Sequence, residues 1–224
     1  MDGKLYVYGD SLLKATVPDE EFRYHFHADE LRRALGGVEV VNRAKMGATI
    51  RKGLSLVQHD LQRGLDGGCA LVAYGGNDSD FDWCAVSEQP DGEHRPHTEL
   101  PEFVRLLKET LDALRARGVQ PVLMTLPPID AQRYLHFICR GGLSCERIMH
   151  WLGDSQAIYR YQEMYSGAVA QLAAAEGVPL IPARQSFLCE RSCAQMIAAD
   201  GIHLTMEGYH RLYDTLAQWM KKNL

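Results

Sequence analysis

The 224-residue chain contains no run of 18 apolar residues, so no segment has the length to span a bilayer and no membrane insertion is expected. Blocks of like charge are missing too. Its 29 acidic and 24 basic side chains are spread along the chain and leave a net charge of -5, which argues against nucleic acid as a partner. The start, MDGKLYVYGDS, has no basic segment leading into a long apolar one, so a soluble, cytoplasmic product is expected. There is no internal repeat, no low-complexity tract, and no Gly-x-Ser-x-Gly, the elbow that presents the serine in α/β-hydrolases. Metal-ligand spacing is equally thin. His94-x-x-His97 lies in a polar loop containing Pro and Gly; Asp78, Asp80 and Asp82 read most simply as turn formers; and Cys189 and Cys193 have no histidine pair nearby. No metal is expected.

With 46% apolar residues, the chain fits one domain, residues 1–224, large enough to bury a sizeable core. A chain of this length draws its stability from that core, so the six cysteines (Cys69, Cys84, Cys139, Cys145, Cys189 and Cys193) are expected as free thiols. Five runs rich in Val, Leu, Ile and Tyr read as buried strands: Lys4–Tyr8, Val38–Asn42, Cys69–Tyr74, Pro121–Leu126 and Val178–Pro182. Between them, steps of three and four residues mark helix faces at Tyr24, Ala28, Leu31, Leu35; at Val104, Leu107, Leu111, Leu114; and at Ile158, Tyr161, Tyr165, Ala168, Leu172. A last helix runs from Thr205, its expected N-cap, to about Lys222. This alternation implies a three-layer α/β/α domain around a five-stranded parallel sheet. The stretches Ser79–Leu100 and Pro127–Asp154 are too long for simple connections and follow strand ends, where such sheets bind ligands, so they are expected to wall a pocket.

Tyr8-Gly9-Asp10-Ser11-Leu12 places a serine directly after the first strand. The tripeptide is weak evidence by itself, because Gly153-Asp154-Ser155 repeats it ahead of a long helix, where Asp154 or Ser155 reads as an N-cap. Position separates the two. Gly75-Gly76-Asn77-Asp78 ends the third strand, so the Asn77 amide would reach the same sheet edge as Ser11 and could donate to an oxyanion. In Asp200-Gly201-Ile202-His203, a carboxylate and an imidazole three residues apart can meet in a turn, the acid orienting the ring as a base. Phe81, Trp83, Tyr134, Phe137 and Trp151 in the two long stretches can line an acyl pocket or stack on a sugar, or simply anchor their loops.

Together these blocks resemble the SGNH/GDSL hydrolase family. Its nucleophile block is similar to Gly9–Leu12, its glycine block to Lys45-Met46-Gly47-Ala48, its asparagine block to Gly75–Asp78, and its last block to Asp200–His203. The resemblance implies a flavodoxin-like sheet, a Ser11, His203, Asp200 triad, and an oxyanion hole from the backbone N–H groups of Ser11 and Gly47 with the Asn77 side chain. It implies an esterase on small-molecule esters without a cofactor. Small acyl groups, such as O-acetyl groups of carbohydrates, are the leading expectation, and Asp10, Asp78, Trp83, Tyr134 and Trp151 are candidate substrate contacts. A lysophospholipase or thioesterase acting on longer chains, or a silent binding module, are the alternatives.

Overall fold

Val, Leu and Tyr concentrate in Lys4–Gly9, which forms the first strand, β1, of the computed structural model. Residues 4–36, 38–65 and 67–223 are described; the Ala28 side chain of the first expected helix face lies outside the described part. A short antiparallel hairpin follows, β2 (Thr16–Pro18) and β3 (Tyr24–Phe26), and then α1 (Ala28–Ala34) and β4 (Glu39–Asn42). Next come α2 (Ile50–Gln62), β5 (Cys69–Ala73), α3 (Trp83–Glu88), α4 (Leu100–Arg115) and β6 (Gln120–Met124). The chain ends with α5 (Ala131–Arg140), α6 (Cys145–Leu152), α7 (Gln156–Ala175), β7 (Leu180–Ile181), α8 (Ala183–Leu188), α9 (Cys193–Met196) and α10 (Met206–Asn223).

All five expected strands pair in parallel in the order β4-β1-β5-β6-β7. Successive side chains point to opposite faces, and both faces are buried. Val7 and Leu71 join a core with α1, α8 and α10, while Tyr8 and Val72 join another with α2, α4 and α7. The chain leaves β1 for β4 on one side and returns to β5 on the other, so loops diverge at the carboxyl ends of β1 and β5 and open a crevice there.

Three local features differ from the sequence reading. Tyr24 belongs to the hairpin, and helix α1 begins only at Ala28. Helix α2 was not expected; its buried Ile50, Leu54, Val57 and Leu61 keep helical spacing, but Gly53 interrupts the pattern. That glycine makes room for a ring: a Cβ there would sit 2.4 Å from Cε2 of Tyr74. Finally, Cys139 and Cys145 are not free thiols. The end of α5 and the start of α6 bring their Cα atoms to 5.5 Å, within disulfide range, and the two are bonded. Cys69, Cys84, Cys189 and Cys193 are free.

Two expected helix caps are present. Asp154 Oδ1 accepts the Gln156 N–H at 2.7 Å and caps α7, and the Thr205 hydroxyl accepts the Gly208 N–H at 3.2 Å at the head of α10. The two long stretches carry α3, α5 and α6, which form a third apolar cluster around Phe81, Trp83, Tyr134 and Ile148. Among the described residues, no helix is long and apolar enough to cross a membrane.

The Gly53 contact is directly testable. Gly53→Ala should lower stability by about 1–3 kcal/mol through overpacking against Tyr74, read as a lower urea midpoint with an unchanged slope.

Candidate active site

Strand β1 ends at Gly9, and the next residues turn sharply under local control. Asp10 Oδ1 accepts the Leu12 N–H at 3.0 Å, and the Asn42 side chain at the end of β4 donates to the Leu13 carbonyl at 2.7 Å. This turn holds Ser11 in place with only 8% of its surface exposed. The loop between α9 and α10 supplies its partner. His203 Nε2 lies 2.9 Å from Ser11 Oγ, and His203 Nδ1 lies 2.6 Å from Asp200 Oδ2. The other Asp200 oxygen accepts the backbone N–H groups of Ile202 and His203, at 3.1 and 3.0 Å, which bends the loop into a tight turn. With Nδ1–H donated to Asp200, the Nε2 lone pair faces the serine hydroxyl.

This turn rests on α5. Asp130 N–H donates to the Gly201 carbonyl at 2.8 Å, and Gly201, at φ +80°, sits so close to α5 that a Cβ would lie 2.4 Å from the Tyr134 nitrogen. On another side, the Tyr24 ring of β3 packs against the imidazole with centroids 5.0 Å apart. The hairpin that carries Tyr24 is itself fastened to α5, since Phe22 packs on Phe137 at 5.2 Å and lies 3.9 Å under the Arg140 guanidinium.

Asn77 follows β5, as expected, and reaches the same edge. Its Nδ2 donates to Asp10 Oδ2 at 3.2 Å and to the Ala48 carbonyl at 3.1 Å. The turns after β1, β4 and β5 are thereby joined. Gly47 precedes Ala48 in this turn at φ +66°, exposed, and does not line the cavity beside Ser11.

That cavity offers about 70 Å³ of free space, with Asp10, Ser11, Asn77, Phe81, Trp83 and Tyr134 among its lining. Of the expected substrate contacts, Asp10, Trp83 and Tyr134 line it and two do not. Asp78 is fully buried, and both its oxygens accept the Ile50 N–H at 3.0 and 3.1 Å; it caps α2 instead of facing the cavity. Trp151 stands one layer back, edge-on to Phe81 at 4.9 Å. Tyr161 and Gln162 of α7, Ile202 and Asp80 also line the cavity and were missed as contacts. Helical spacing marked the face of α7 bearing Tyr161, whereas nothing local distinguishes Asp80 from a turn residue. Asp82, expected as a turn former, caps α3 by accepting the Ala85 N–H at 3.0 Å. Among the described residues, no three His, Cys, Asp or Glu side chains gather to hold a metal.

Burial dominates the electrostatics. It pushes the carboxyls of Asp10 and Asp78 up to about 6, although backbone N–H donors oppose it at both. It pushes Asp80 upward as well, against donors from Tyr134 and Trp83. Asp200 behaves in the opposite way: burial would raise it, but the hydrogen bond and charge of His203 and the two backbone donors hold it below the usual carboxylate range.

A family model described as the GDSL-like lipase/acylhydrolase family matches residues 7–211. The chain belongs to this family. It is accordingly a carboxylic ester hydrolase. No curated protein sequence matches the hydrolase, but solved structures share its fold. A lipase/acylhydrolase from Enterococcus faecalis is 20% identical with a TM-score of 0.66, the match covering 99% of this chain and 97% of that one. A catalytic mutant of an acetylxylan esterase from Geobacillus stearothermophilus is 18% identical with a TM-score of 0.64, covering 97% and 94%. An enzyme from the metagenome of Lake Arreo, Spain, is 20% identical with a TM-score of 0.68, covering 98% and 95%.

Two outcomes follow for the hydrolase. Gly201→Ala should move the 200–203 turn off α5 and lower ester turnover by roughly 10²-fold, measured as kcat. Asp10 has its folded pKa raised above the unfolded value, so the native state binds the extra proton between pH ~4 and ~6, and stability falls as pH rises through that window. Asp10→Asn removes this slope. The Tm difference, variant minus wild type, should therefore become more positive between pH 4 and pH 7, as read by calorimetry.

Proposed function

We propose that the hydrolase cleaves esters of short acyl groups through a covalent intermediate on Ser11, with His203 as base and Asp200 as its orienting carboxylate. The observation that carries this reading is the unbroken chain from Ser11 Oγ through the imidazole to Asp200, at 2.9 and 2.6 Å in a buried setting. A serine hydroxyl is a weak nucleophile at neutral pH and needs a base in contact with it. As Oγ bonds to the acyl carbon, its proton passes to Nε2 and the carbonyl becomes an oxyanion. Collapse expels the alcohol, which takes the proton from Nε2. Water then attacks the acyl-serine, gives its proton to Nε2, and releases the acid as Ser11 regains a proton.

Oxyanion donors are proposed to be the backbone N–H groups of Ser11 and Gly47 and the Asn77 amide; Gly47 stands outside the cavity lining, in the turn that Asn77 binds through Ala48. Asn77 is held by Asp10 and Ala48 within the same cluster of turns, so its donor is pre-positioned, and a developing oxyanion competes with those two acceptors. Strands from both halves of the chain share one sheet, which supports reading the whole as a single domain.

Cavity size favours short acyl groups. Space of about 70 Å³ beside Ser11 suits a small acyl group. The fold shared with an acetylxylan esterase fits O-acetyl carbohydrates as substrates.

A fluorophosphonate probe followed by peptide mapping tests the nucleophile: label at Ser11 that vanishes in His203→Ala is expected, and folded protein that takes no label would favour a silent binding module. Asn77→Ala should lower kcat roughly 10²- to 10³-fold. In a nitrophenyl ester series, kcat/KM should peak at two to four acyl carbons and collapse by eight; a maximum at longer chains points to a lysophospholipase or thioesterase.

A further inference from the structure

The proposed mechanism leaves one cavity-lining carboxylate unused. Asp80 stands two residues beyond Asp78, on the wall that faces the Ser11 turn, and it is half-buried while the rings that hold it are buried. Trp83 Nε1 donates to Oδ1 at 2.9 Å, and the Tyr134 hydroxyl donates to Oδ2. A carboxylate has about four lone-pair sites, so these two donors, with the Phe81 backbone N–H, fix its orientation and still leave acceptor capacity. The neighbouring polar groups are committed elsewhere. Gln162 donates to the Pro127 carbonyl at 2.7 Å and accepts from Arg184 at 2.7 Å, and Ser79 donates to the Gly76 carbonyl at 3.0 Å. Among the described residues lining the cavity there is no Lys or Arg; the charge that acts on Asp80 from outside the lining is that of His97, whose backbone N–H also donates to the Asp80 carbonyl at 2.8 Å.

A fixed, partly desolvated acceptor with open lone pairs beside aromatic walls is suited to hydroxyl donors on a ring. Resting on the reading of Ser11 as the nucleophile, we propose that Asp80 is a specificity-determining residue that accepts hydroxyl groups from the alcohol part of the ester. The preferred substrates are then short-chain esters of neutral polyhydroxylated alcohols. Esters of plain alkyl alcohols leave the carboxylate unpaired, and alcohols carrying a carboxylate or phosphate are repelled by it.

The test compares a monoacetylated methyl xylopyranoside with cyclohexyl acetate, a ring of similar size without hydroxyl groups. Wild-type kcat/KM should favour the pyranoside at least tenfold, and Asp80→Asn should cut that ratio by roughly 10- to 100-fold. A purely structural role would lower both substrates by one common factor, leave the ratio intact and overturn the proposal. Should the variant fail to fold, wild-type enzyme serves alone: an acetylated methyl hexuronoside should react at least tenfold more slowly than the neutral pyranoside, and equal rates overturn the proposal. Absence of fluorophosphonate label at Ser11 would sink the underlying reading, whereas labelled enzyme with no preference for the pyranoside sinks only this one.

Discussion

The site depends on one amide. Parallel strands end side by side without a hairpin between them, so the loops at their carboxyl ends have no backbone ladder to align them. Here the Asn77 side chain supplies the alignment, binding Asp10 after β1 and the Ala48 carbonyl after β4, while the next residue, Asp78, takes the Ile50 N–H at the head of α2. Three separate surface turns become one rigid floor under Ser11. The cost is visible in the two carboxylates, both of which burial drives toward neutrality.

Above this floor lies a lid of aromatic side chains that belongs to the same packed body. Phe81 meets Trp83, Trp151 and Tyr161 edge to face, with centroids 4.8–5.7 Å apart, so the ring faces are largely spent on one another. Helix α5 joins lid to floor through Gly201, and the Cys139–Cys145 bridge ties the far end of α5 to α6. The cavity wall and the imidazole loop consequently share one support.

Much of this was legible in the sequence, and the remainder has a common cause. Strands such as Cys69–Ala73 are short, apolar and bounded by Gly, and their order follows from the alternation with helices. Ser11, Asn77 and Asp200 with His203 carry signal because each stands at a strand or helix boundary. What escaped depends on distant neighbours. The hairpin strands have three residues each, too few for a pattern, and Tyr24 owes its place to contacts with His203. Gly53 looks like a helix breaker until Tyr74 is seen above it. The Cys139–Cys145 bond needs the turn between two helices that no helical spacing had marked, and the difference between Asp78 as a cap and Asp80 as a cavity wall is a matter of which way neighbouring turn residues point.

The hydroxyl and imidazole that meet at the site stand 192 residues apart in the chain. A contact of that separation forms only after the intervening sheet has assembled, because loop closure must be met before the contact can reward it. Until then the Ser11 hydroxyl has no imidazole beside it, any more than Ser155 has. On the proposed reading of Ser11 as nucleophile, chemical reactivity is thus a late product of folding, and a nascent or partly unfolded chain carries no activated serine to be acylated at random.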